Sequence, residues 1–504
     1  MKKYLLLFLI LIVFLSVKNS FSQIKSAASG NWGDAATWIG GVIPSANDDV
    51  IIDAGHTVTI DVTSAVCKNL QVDGTLLFGD NDNQSITVNG SITINATGVW
   101  NSMSGTLTAT RLSKIILYGD LTIVNGGKFD MRKGVTNGYG GVTVVFEGTK
   151  DSYISLNKTS YSSSTEEFNS IVVNKTGGAK VILKSGNLFM GDYITDTPSI
   201  LTFTSGAIET QGTSIWIQLA NSEESIKGAN SINFVRGALG RGFDATGPAT
   251  RTFPIGDDNN YRPLKLRVST AIPSGGYLFA QSIKGNANVN SILNGDIDKV
   301  SGVRYFMVSY KAPKNGPASV TIDSIGISYG NDDGVKAGNK NLRIAYSVDS
   351  MKTWNSIGPD NHTTVLSTTP SMINAGTSGS VTVNDGKSVY FALARKTGTS
   401  ENSLETETSV EKLDELPSTF NLSQNYPNPF NPITNITFEI CKSGFTELKV
   451  YDVLGREIKT LVSENLVPGF YNVKFDASNL STGTYLYQLI FDGKSITRKM
   501  TLLK

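Results

Sequence analysis

Apolar residues recur at every second position over most of the chain, and glycines or short polar segments interrupt the alternation. The pattern is clearest in residues 66–125, where two apolar residues, a central glycine and two more apolar residues form a unit that occurs three times. Period-two alternation is typical of strands with one buried face. The copies are Leu70-x-Val72-x-Gly74-x-Leu76-x-Phe78, Ile86-x-Val88-x-Gly90-x-Ile92-x-Ile94 and Ile115-x-Leu117-x-Gly119-x-Leu121-x-Ile123.

Two architectures fit this repeat, whose glycines are 16 and then 29 residues apart. In a parallel β-helix each copy is a rung, and the glycine is a corner that stacks closely on the next rung. In an antiparallel meander, Asp73-Gly74 and Asn89-Gly90 are type I′ hairpin turns. The third copy has Tyr118-Gly119, a poor type I′ turn, and keeps the pattern, which favours the β-helix over residues 66–215. Weaker rungs are expected at Val142–Phe146, Ile171–Val173, Val181–Leu183 and Leu201–Phe203. The polar loops between rungs are expected on one side of the helix, at 80–84, 132–141 and 157–167.

Residues 216–395 are predicted to form a junction and a β-sandwich. Alternating segments separated by 8–20 residues fit an immunoglobulin-like fold. The expected strands are Leu264–Val268, Tyr277–Gln281, Tyr305–Tyr310, Ser319–Ile325, Leu342–Ser347, Ser380–Val383 and Val389–Ala394.

The last segment, residues 417–504, opens with a turn that holds three prolines, and alternating strands follow it. Proline fixes φ and removes a backbone donor, so neither a helix nor a central strand passes through such a turn. The alternation in 433–440, 446–452, 471–475 and 485–489 predicts a second small β-sandwich, also immunoglobulin-like.

Four motifs of this segment, LSQNYPNPFNP, VYDVLGREI, GTYLYQL and KMTLLK, resemble the type A C-terminal sorting domain of the type IX secretion system. The resemblance implies that this segment is a sorting signal and has no active site. Such domains take a folded passenger through the periplasm and across the outer membrane of a Gram-negative bacterium. The implied partners are the type IX machinery and its C-terminal signal peptidase. The expected sorting-signal residues are Tyr426, Pro427, Asn428, Pro429, Phe430, Asn431, Pro432, Gly455, Arg456, Gly483, Tyr485, Lys499 and Lys504.

Residues 23–65 are expected to cap the β-helix, because an open helix end exposes unpaired strand edges. The segment has two tryptophans, a proline and the run DDVIIDAGHTVTID. This order resembles the opening of an extracellular domain named for its eight glycines. Residues 216–300 resemble a junction module that joins such β-helices to sorting domains, and the resemblance gives that module no activity.

Composition supports an all-β protein with several domains, since 504 residues exceed a single core and 50 of them are glycine. The formal charge of +1 argues against a nucleic-acid partner and against strong attraction to anionic lipid. Residues 1–22 have Lys2 and Lys3 at the start, then an apolar run too short for a membrane span, and small residues at the end, as a signal peptide does. No second apolar stretch of spanning length follows, so no stable membrane span is expected. Residues 396–416 are predicted to be an acidic linker.

Two cysteines, Cys67 and Cys441, fall in different predicted domains, so no disulfide framework is expected. With only His56 and His362 beside them, no zinc cluster is expected either. His56 has no nucleophile signature near it and is predicted to be structural.

Carboxylates on a β-helix face are the first candidates for polysaccharide cleavage, which uses paired acids, or an acid-bound Ca²⁺ with a basic residue. Asp53 and Asp61 are the pair that could face outward together. No spacing ties the candidate bases to these acids, so solvated turn carboxylates are the favoured interpretation. The remaining candidates are Asp48 and Asp49 among the acids, and Arg111, Lys114, Arg132 and Lys133 among the bases.

Three Asp- and Asn-rich segments, 80–83, 257–260 and 331–334, could offer oxygen ligands to Ca²⁺. Turns are the favoured interpretation, because Asp, Asn and Gly are turn residues in any case; no cofactor is therefore expected, and Ca²⁺ is kept as a weak alternative. Trp32, Trp38, Trp100 and Trp216 could stack on sugars if exposed, but core packing is favoured.

Without a strong catalytic signature, the sequence predicts an exported, non-enzymatic surface protein. Its passenger is expected to bind carbohydrate or another surface ligand, or to be purely structural. A secreted polysaccharide lyase or glycoside hydrolase acting on the β-helix face is the alternative.

Overall fold

A computed structural model describes most of the chain outside its first 22 residues. The described residues are 23–79, 83–102, 112–132, 141–160, 166–191, 199–220, 222–243, 246–257, 260–273, 275–287, 291–335, 341–357, 371–375, 380–400, 402–404, 420–425, 427–442, 444–466 and 469–503. The predicted signal peptide, much of the predicted linker, Tyr426, Lys504, Arg111, Lys133 and His362 lie outside them. The chain divides into two compact units, Met1–Glu407 and Thr408–Lys504.

The first unit begins with a three-sided parallel β-helix, and its strands are numbered here in chain order. Sheet I comprises β1 (Gln23–Lys25), β3 (Asp49–Ile52), β6 (Asn69–Val72), β9 (Ile92–Ile94), β12 (Leu121–Ile123), β15 (Ser152–Ser155), β18 (Lys180–Ser185), β21 (Ala207–Thr210), β24 (Val235–Arg236) and β27 (Ile255–Gly256). The helical part of sheet II comprises β2 (Gly30–Asn31), β4 (Thr57–Ile60), β7 (Thr75–Phe78), β10 (Val99–Asn101), β13 (Lys128–Asp130), β16 (Glu166–Phe168), β19 (Leu188–Met190), β22 (Ile215–Gln218) and β25 (Ala238–Arg241). Sheet III comprises β5 (Ala65–Cys67), β8 (Ser85–Val88), β11 (Lys114–Leu117), β14 (Thr143–Gly148), β17 (Ser170–Lys175), β20 (Leu201–Ser205) and β23 (Ile226–Lys227).

The predicted β-helix is confirmed, because every strand of sheets I and III and of the helical part of sheet II pairs in parallel with a strand one turn away. β6 pairs with β3 and β9 rather than with β7, so Asp73-Gly74 is a corner and not a hairpin turn. Gly90 is likewise a corner, between β8 and β9. Parallel pairing continues to β27, beyond residue 215, where the repeat was expected to give way to the junction.

The irregular spacing of the repeat follows from two kinds of corner. Gly74 joins sheet I to sheet II, whereas Gly90 and Gly119 join sheet III to sheet I on successive turns. Corner contacts one turn apart span 20 residues at Asn69, 22 at Ser91, 29 at Asp120 and 33 at Tyr153. Each copy of the sequence pattern is therefore two strands of a three-strand turn rather than a whole rung.

Residues 80–82, 133–140 and 161–165 of the predicted loops lie outside the described residues, but the strands on either side assign the three loops to two different corners and not to one side of the β-helix. Segments 80–84 and 132–141 connect sheet II to sheet III, whereas segment 157–167 connects sheet I to sheet II. The parity of the apolar residues could not distinguish these corners, because all three sheets have the same period.

Aromatic residues of successive sheet II strands stack inside the β-helix. Phe78, Trp100, Phe129 and Phe168 are buried, with ring centroids 6.2, 5.8 and 5.0 Å apart along the series. Trp100 and Phe129 are direct partners in the parallel register. Phe78 and Phe168 lie two residues along their strands from the partners of Trp100 and Phe129, and therefore on the same inward face.

The β-helix continues into antiparallel structure within the first unit. β25 pairs antiparallel with β29, and sheet II extends from there. The extension comprises β29 (Tyr277–Lys284), β30 (Ile292–Asn294), β31 (Ile297–Val300), β32 (Arg304–Lys311), β34 (Leu342–Ser347), β35 (Thr353–Ile357) and β38 (Ser388–Lys396). Sheet IV comprises β26 (Ala249–Phe253), β28 (Leu264–Val268), β33 (Ser319–Tyr329), β36 (Ser371–Ala375) and β37 (Val381–Asn384). All seven predicted strands occur here, and an immunoglobulin-like topology stays a prediction.

The second unit consists of two antiparallel sheets around one apolar core. One sheet comprises β39 (Asn421–Leu422), β40 (Ile433–Ile440) and β43 (Gly469–Asp476), and the other β41 (Gly444–Tyr451), β42 (Glu457–Leu466), β44 (Gly483–Phe491) and β45 (Lys494–Leu502). The only helices among the described residues are 3₁₀ turns at Ala35–Thr37, Glu223–Ser225 and Asn331–Asp333, which confirms the all-β prediction. None of the described residues belongs to a helix with the length and hydropathy needed to cross a bilayer.

Candidate functional site

The proline turn of the second unit, Pro427–Pro432, lies along the outer edge of β45. The Phe430 amide donates to the carbonyl of Thr501 at 2.9 Å, and the Leu503 amide donates to the carbonyl of Phe430 at 2.9 Å. The Asn428 side-chain oxygen accepts from the Thr501 amide at 2.9 Å. An unpaired edge strand is a template for pairing with other chains, and the turn covers part of this edge. The first and last sorting motifs are thus in direct contact.

A buried polar cluster connects the GTYLYQL motif to the residues before the turn. The Tyr487 hydroxyl accepts from the Asn425 amide and donates to the carbonyl of Ser423, both at 2.8 Å. The Asn425 side chain donates to the Thr434 hydroxyl at 2.9 Å and to the carbonyl of Pro427 at 3.1 Å. Burial raises the pKa of Tyr487, which keeps its hydroxyl a donor. Three of the four motifs therefore share one hydrogen-bonded region.

Other predicted motif residues lie on β44 and β45, close to the contacts just described. Gly483 and Tyr485 open β44, where the Tyr485 hydroxyl donates to the carbonyl of Ser481 at 2.7 Å. The carbonyl of Lys499 on β45 accepts from the Gln424 side chain at 2.7 Å. These contacts hold the two ends of the domain through backbone groups, so the Lys499 side chain is left to solvent.

The second motif forms an exposed turn between β41 and β42. Asp452 accepts from the amides of Leu454 and Arg456, each at 2.9 Å, and from Arg456 Nε at 2.6 Å. Desolvation opposes ionisation of Asp452, but these hydrogen bonds prevail and lower its pKa. Gly455 has φ +80°, which glycine adopts without strain. Val453 and Leu454 are 65% and 76% exposed, so a rigid turn presents two apolar side chains to solvent.

In the first unit, polar side chains form a ladder along the corner between sheets III and I. Asp49 accepts from the Asn69 side chain at 2.7 Å, and the Asn69 oxygen accepts from the Ser91 amide at 2.8 Å. Further along, the Asp120 amide donates to the Ser91 hydroxyl at 3.1 Å and the Asp120 carboxylate accepts from the Tyr153 amide at 2.9 Å. These side chains join successive turns of the helix.

The other candidate acids also bind within the scaffold. Asp53 follows β3 and has Lys25 Nζ 3.9 Å away, and the Asp61 carboxylate after β4 accepts from the Gly33 amide at 2.9 Å. Asp48 accepts from the amide of its own turn at Ser45. Asp53 precedes the turn into β4 and Asp61 directly follows β4, so the length of that strand separates them and they do not face each other.

The candidate bases and His56 are spread over different turns. Lys114 opens β11 of sheet III, and Arg132 follows β13 with its guanidinium 3.2 Å from the Ser199 hydroxyl. His56 Nδ1 lies 2.8 Å from the Ser26 hydroxyl. The structure thus brings none of the described bases to the candidate acids.

Two predicted Asp-rich turns do meet, and two arginines that sequence analysis missed lie between them. Arg304 Nε donates to Asp257 at 2.8 Å and its Nη atoms bind Asp332 at 2.9 Å and Asp333. Arg262 Nε donates to Asp333 at 3.0 Å and Arg262 also pairs with Asp332. Burial opposes ionisation of Asp332, but the Arg262 charge and the Arg304 hydrogen bond lower its pKa. Guanidinium groups thus occupy the positions where a cation would bind these carboxylates.

Burial removes the tryptophans from any surface role. Trp32, Trp38, Trp100 and Trp216 are each at most 2% exposed. Cys67 is a buried free thiol whose pKa burial raises, and Cys441 is also free. Among the described residues, no group of three or more His, Cys, Asp and Glu side chains is arranged to hold a metal ion.

Two protein-family models match parts of the chain. The G8 domain matches residues 37–177, from the cap through five strands of sheet III, which is further than the resemblance in the cap alone reached. The secretion system C-terminal sorting domain matches residues 424–502, which contain most of the motif contacts described above. A comparison with curated proteins and one with solved structures gave no match.

Both matches agree with the resemblances noted in the sequence. The sorting domain indicates a protein that the type IX machinery handles and secretes, and a G8 domain is compatible with an extracellular β-rich protein. The chain therefore carries a G8 domain at residues 37–177 and a C-terminal sorting domain of the type IX secretion system at residues 424–502.

Proposed function

We propose that the chain is a non-catalytic adhesion protein of the cell surface or the surrounding medium, and that it adheres by binding carbohydrate. The type IX machinery exports it, the C-terminal signal peptidase removes the sorting domain, and the β-helix serves as a rigid binding module.

The proposal that the protein is non-catalytic rests on the positions and hydrogen bonds of the candidate carboxylates on the β-helix. Glycoside cleavage needs two carboxyl groups on either side of one sugar, about 5–9.5 Å apart. Asp53 and Asp61 are separated by the length of β4, and Asp61 already accepts a backbone hydrogen bond. Asp49 is part of the corner ladder. These acids support the scaffold, which favours binding over cleavage.

The binding experiment uses the purified full-length chain and a panel of plant, algal and host polysaccharides, with and without Ca²⁺. Retention on the polymers and new reducing or unsaturated ends are measured in the same samples. Retention without new ends is expected. New ends would establish a lyase or hydrolase instead, and the absence of both signals would leave a purely structural surface protein.

The export experiment compares the full-length chain with a chain truncated after residue 416 in a host with an active type IX system. The full-length chain is expected to leave the periplasm, because the sorting domain is its address. The truncated chain is expected to accumulate there. Equal export of both chains would contradict the assigned role of the tail.

A further inference from the structure

A polar cleft of about 550 Å³ lies in the first unit, where the last turns of the β-helix meet β29. Lys180, Glu209 and Arg236 form one wall on the outer face of sheet I, and Ser282 and Lys284 of β29 form part of the other. Both walls belong to continuous sheets, so the cleft is part of the scaffold rather than of a loop. Its volume suits a small organic ligand better than a single inorganic ion.

Three of the charges around the cleft are already neutralised. Lys180 Nζ is 2.5 Å from a Glu209 carboxylate oxygen. Burial opposes ionisation of Glu209, but hydrogen bonds from Lys180 and Gln211 prevail and lower its pKa. Asp257, which also lines the cleft, is held by Arg304 at 2.8 Å.

Positive charge therefore remains on the other two basic residues. Arg236 and Lys284 form no salt bridge with any residue in the part of the chain that the structure describes. Glu209 pairs in register with Arg236 on the adjacent strand, and the Arg236 charge also lowers the pKa of Glu209, but the carboxylate forms its salt bridge with Lys180. The Arg236 guanidinium carbon lies 5.4 Å from the centre of the Phe234 ring, which supports one face of the group.

Two polar atoms at the cleft are buried without a hydrogen-bond partner among the described residues. They are Arg236 Nε and Ser282 Oγ. Ser282 is only 4% exposed, so solvent does not readily satisfy its hydroxyl. Buried polar atoms are nearly always paired in folded proteins, so an unpaired donor and an unpaired hydroxyl on two residues that line one cleft are expected of an empty ligand site.

We propose that this cleft binds an acidic sugar unit of a polysaccharide, with the carboxylate or sulfate on Arg236 and Lys284 and a sugar hydroxyl on Ser282. A guanidinium offers parallel donors that match both anionic groups. The inference rests on the proposed carbohydrate-binding function and specifies its ligand class. It also places binding outside the segment that matches the G8 domain.

The test measures binding of the full-length chain by calorimetry to oligogalacturonate, a sulfated galactan oligosaccharide and neutral xylo-oligosaccharide. Either or both acidic ligands are expected to bind, and the neutral one to bind at least about tenfold more weakly, since a charged hydrogen bond is worth that factor. The two acidic ligands distinguish carboxylate from sulfate recognition.

Variants locate the site. Arg236→Gln and Lys284→Gln are expected to weaken acidic-ligand binding by about tenfold, and Ser282→Ala by about threefold or more. Lys128→Gln, at an exposed lysine of β13 in sheet II, is the matched control and is expected to stay within about twofold of the wild type. Because Lys284 is exposed, its variant tests the site even where Arg236→Gln unfolds.

The outcomes separate the two proposals. If the wild type binds none of the saccharides or polymers, carbohydrate binding and the cleft assignment both fail. If it binds with no preference for acidic ligands, or if Arg236→Gln and Lys284→Gln bind like the wild type, only the cleft assignment fails. Equal melting temperatures of wild type and variants exclude loss of fold as the cause of weaker binding.

Discussion

The Gly119 amide donates a hydrogen bond to the carbonyl of Gly90 at 2.9 Å, and a Cβ atom on Gly119 would lie 2.5 Å from that same oxygen. Neither Gly90 nor Gly119 has a positive φ, so backbone conformation does not require glycine there. The close stacking of the two corners is what excludes a side chain. Gly119→Ala is expected to destabilise the first unit by about 1–3 kcal/mol, measured by urea unfolding.

Gly247→Ala is the matched control, because nothing lies within 4 Å of a Cβ at that position. Its effect is expected to stay within about 0.5 kcal/mol. Equal stabilities of the two variants would mean that the corners can move apart and that the stacking does not determine the glycine.

Removing Arg304 tests the buried charge cluster. Arg304 is 2% exposed at its side chain and binds Asp257 and Asp333, whose side chains are 7% and 2% exposed. Arg304→Met is expected to destabilise the first unit by about 3–5 kcal/mol, since it leaves carboxylates buried with less positive charge. Denaturant unfolding measures the loss.

A more exposed arginine pair supplies the comparison for Arg304. Arg267 is 41% exposed at its side chain and pairs with Asp323. Arg267→Met is expected to cost less than about 1 kcal/mol, because exposed pairs are screened by solvent. Similar losses for both variants would contradict a special role of the buried cluster.

Lys175 gives the first unit a distinctive pH dependence. It is fully buried, and its ammonium group donates to the carbonyls of Glu147 at 2.5 Å and Tyr118 at 3.4 Å. Burial lowers the pKa of Lys175 from 10.5 to about 8. Between these values the unfolded chain binds a proton that the folded chain has released, so the contribution of Lys175 to stability increases as pH rises through this window.

Urea unfolding of the wild type and Lys175→Met between pH 7.5 and 10.5 measures this effect. The wild type is expected to gain up to about 3 kcal/mol relative to the variant as pH rises. Parallel stability curves would show that Lys175 titrates alike in the folded and unfolded chains. The difference between the two curves removes contributions of groups that both proteins share.

The sequence predicted the β-helix because its stacking rule is local: a glycine corner and two alternating strands are visible within nine residues. It could not predict which corner each glycine occupies. Gly74 and Gly90 both stand between two pairs of alternating apolar residues, but they join different sheets. That assignment depends on pairing partners 20 or more residues away.

Long-range contacts also explain why the candidate sites were harder to predict. Asp257, Arg304 and Asp333 come from three distant segments, and each alone has the sequence context of a turn or a strand end. The cleft likewise needs Arg236 of the β-helix and Ser282 of β29. The sorting motifs were recognisable because their resemblance does not depend on knowing that Phe430 pairs with Leu502.

The Tyr487 hydroxyl tests whether the buried polar cluster of the sorting domain matters for export. Tyr487→Phe leaves the Asn425 amide and the Ser423 carbonyl without this partner, so local stability is expected to fall by about 1–3 kcal/mol. We expect faster hydrogen exchange at β40 and β44 in the full-length variant. We also expect a larger fraction of the variant than of the wild type to be retained in the periplasm.

Tyr451→Phe on β41, which lies outside the cluster, is the control and should match the wild type in both measurements. Wild-type exchange in Tyr487→Phe would show that the hydroxyl does not hold the proline turn, whereas faster exchange with normal export would mean that the machinery tolerates a loosened turn.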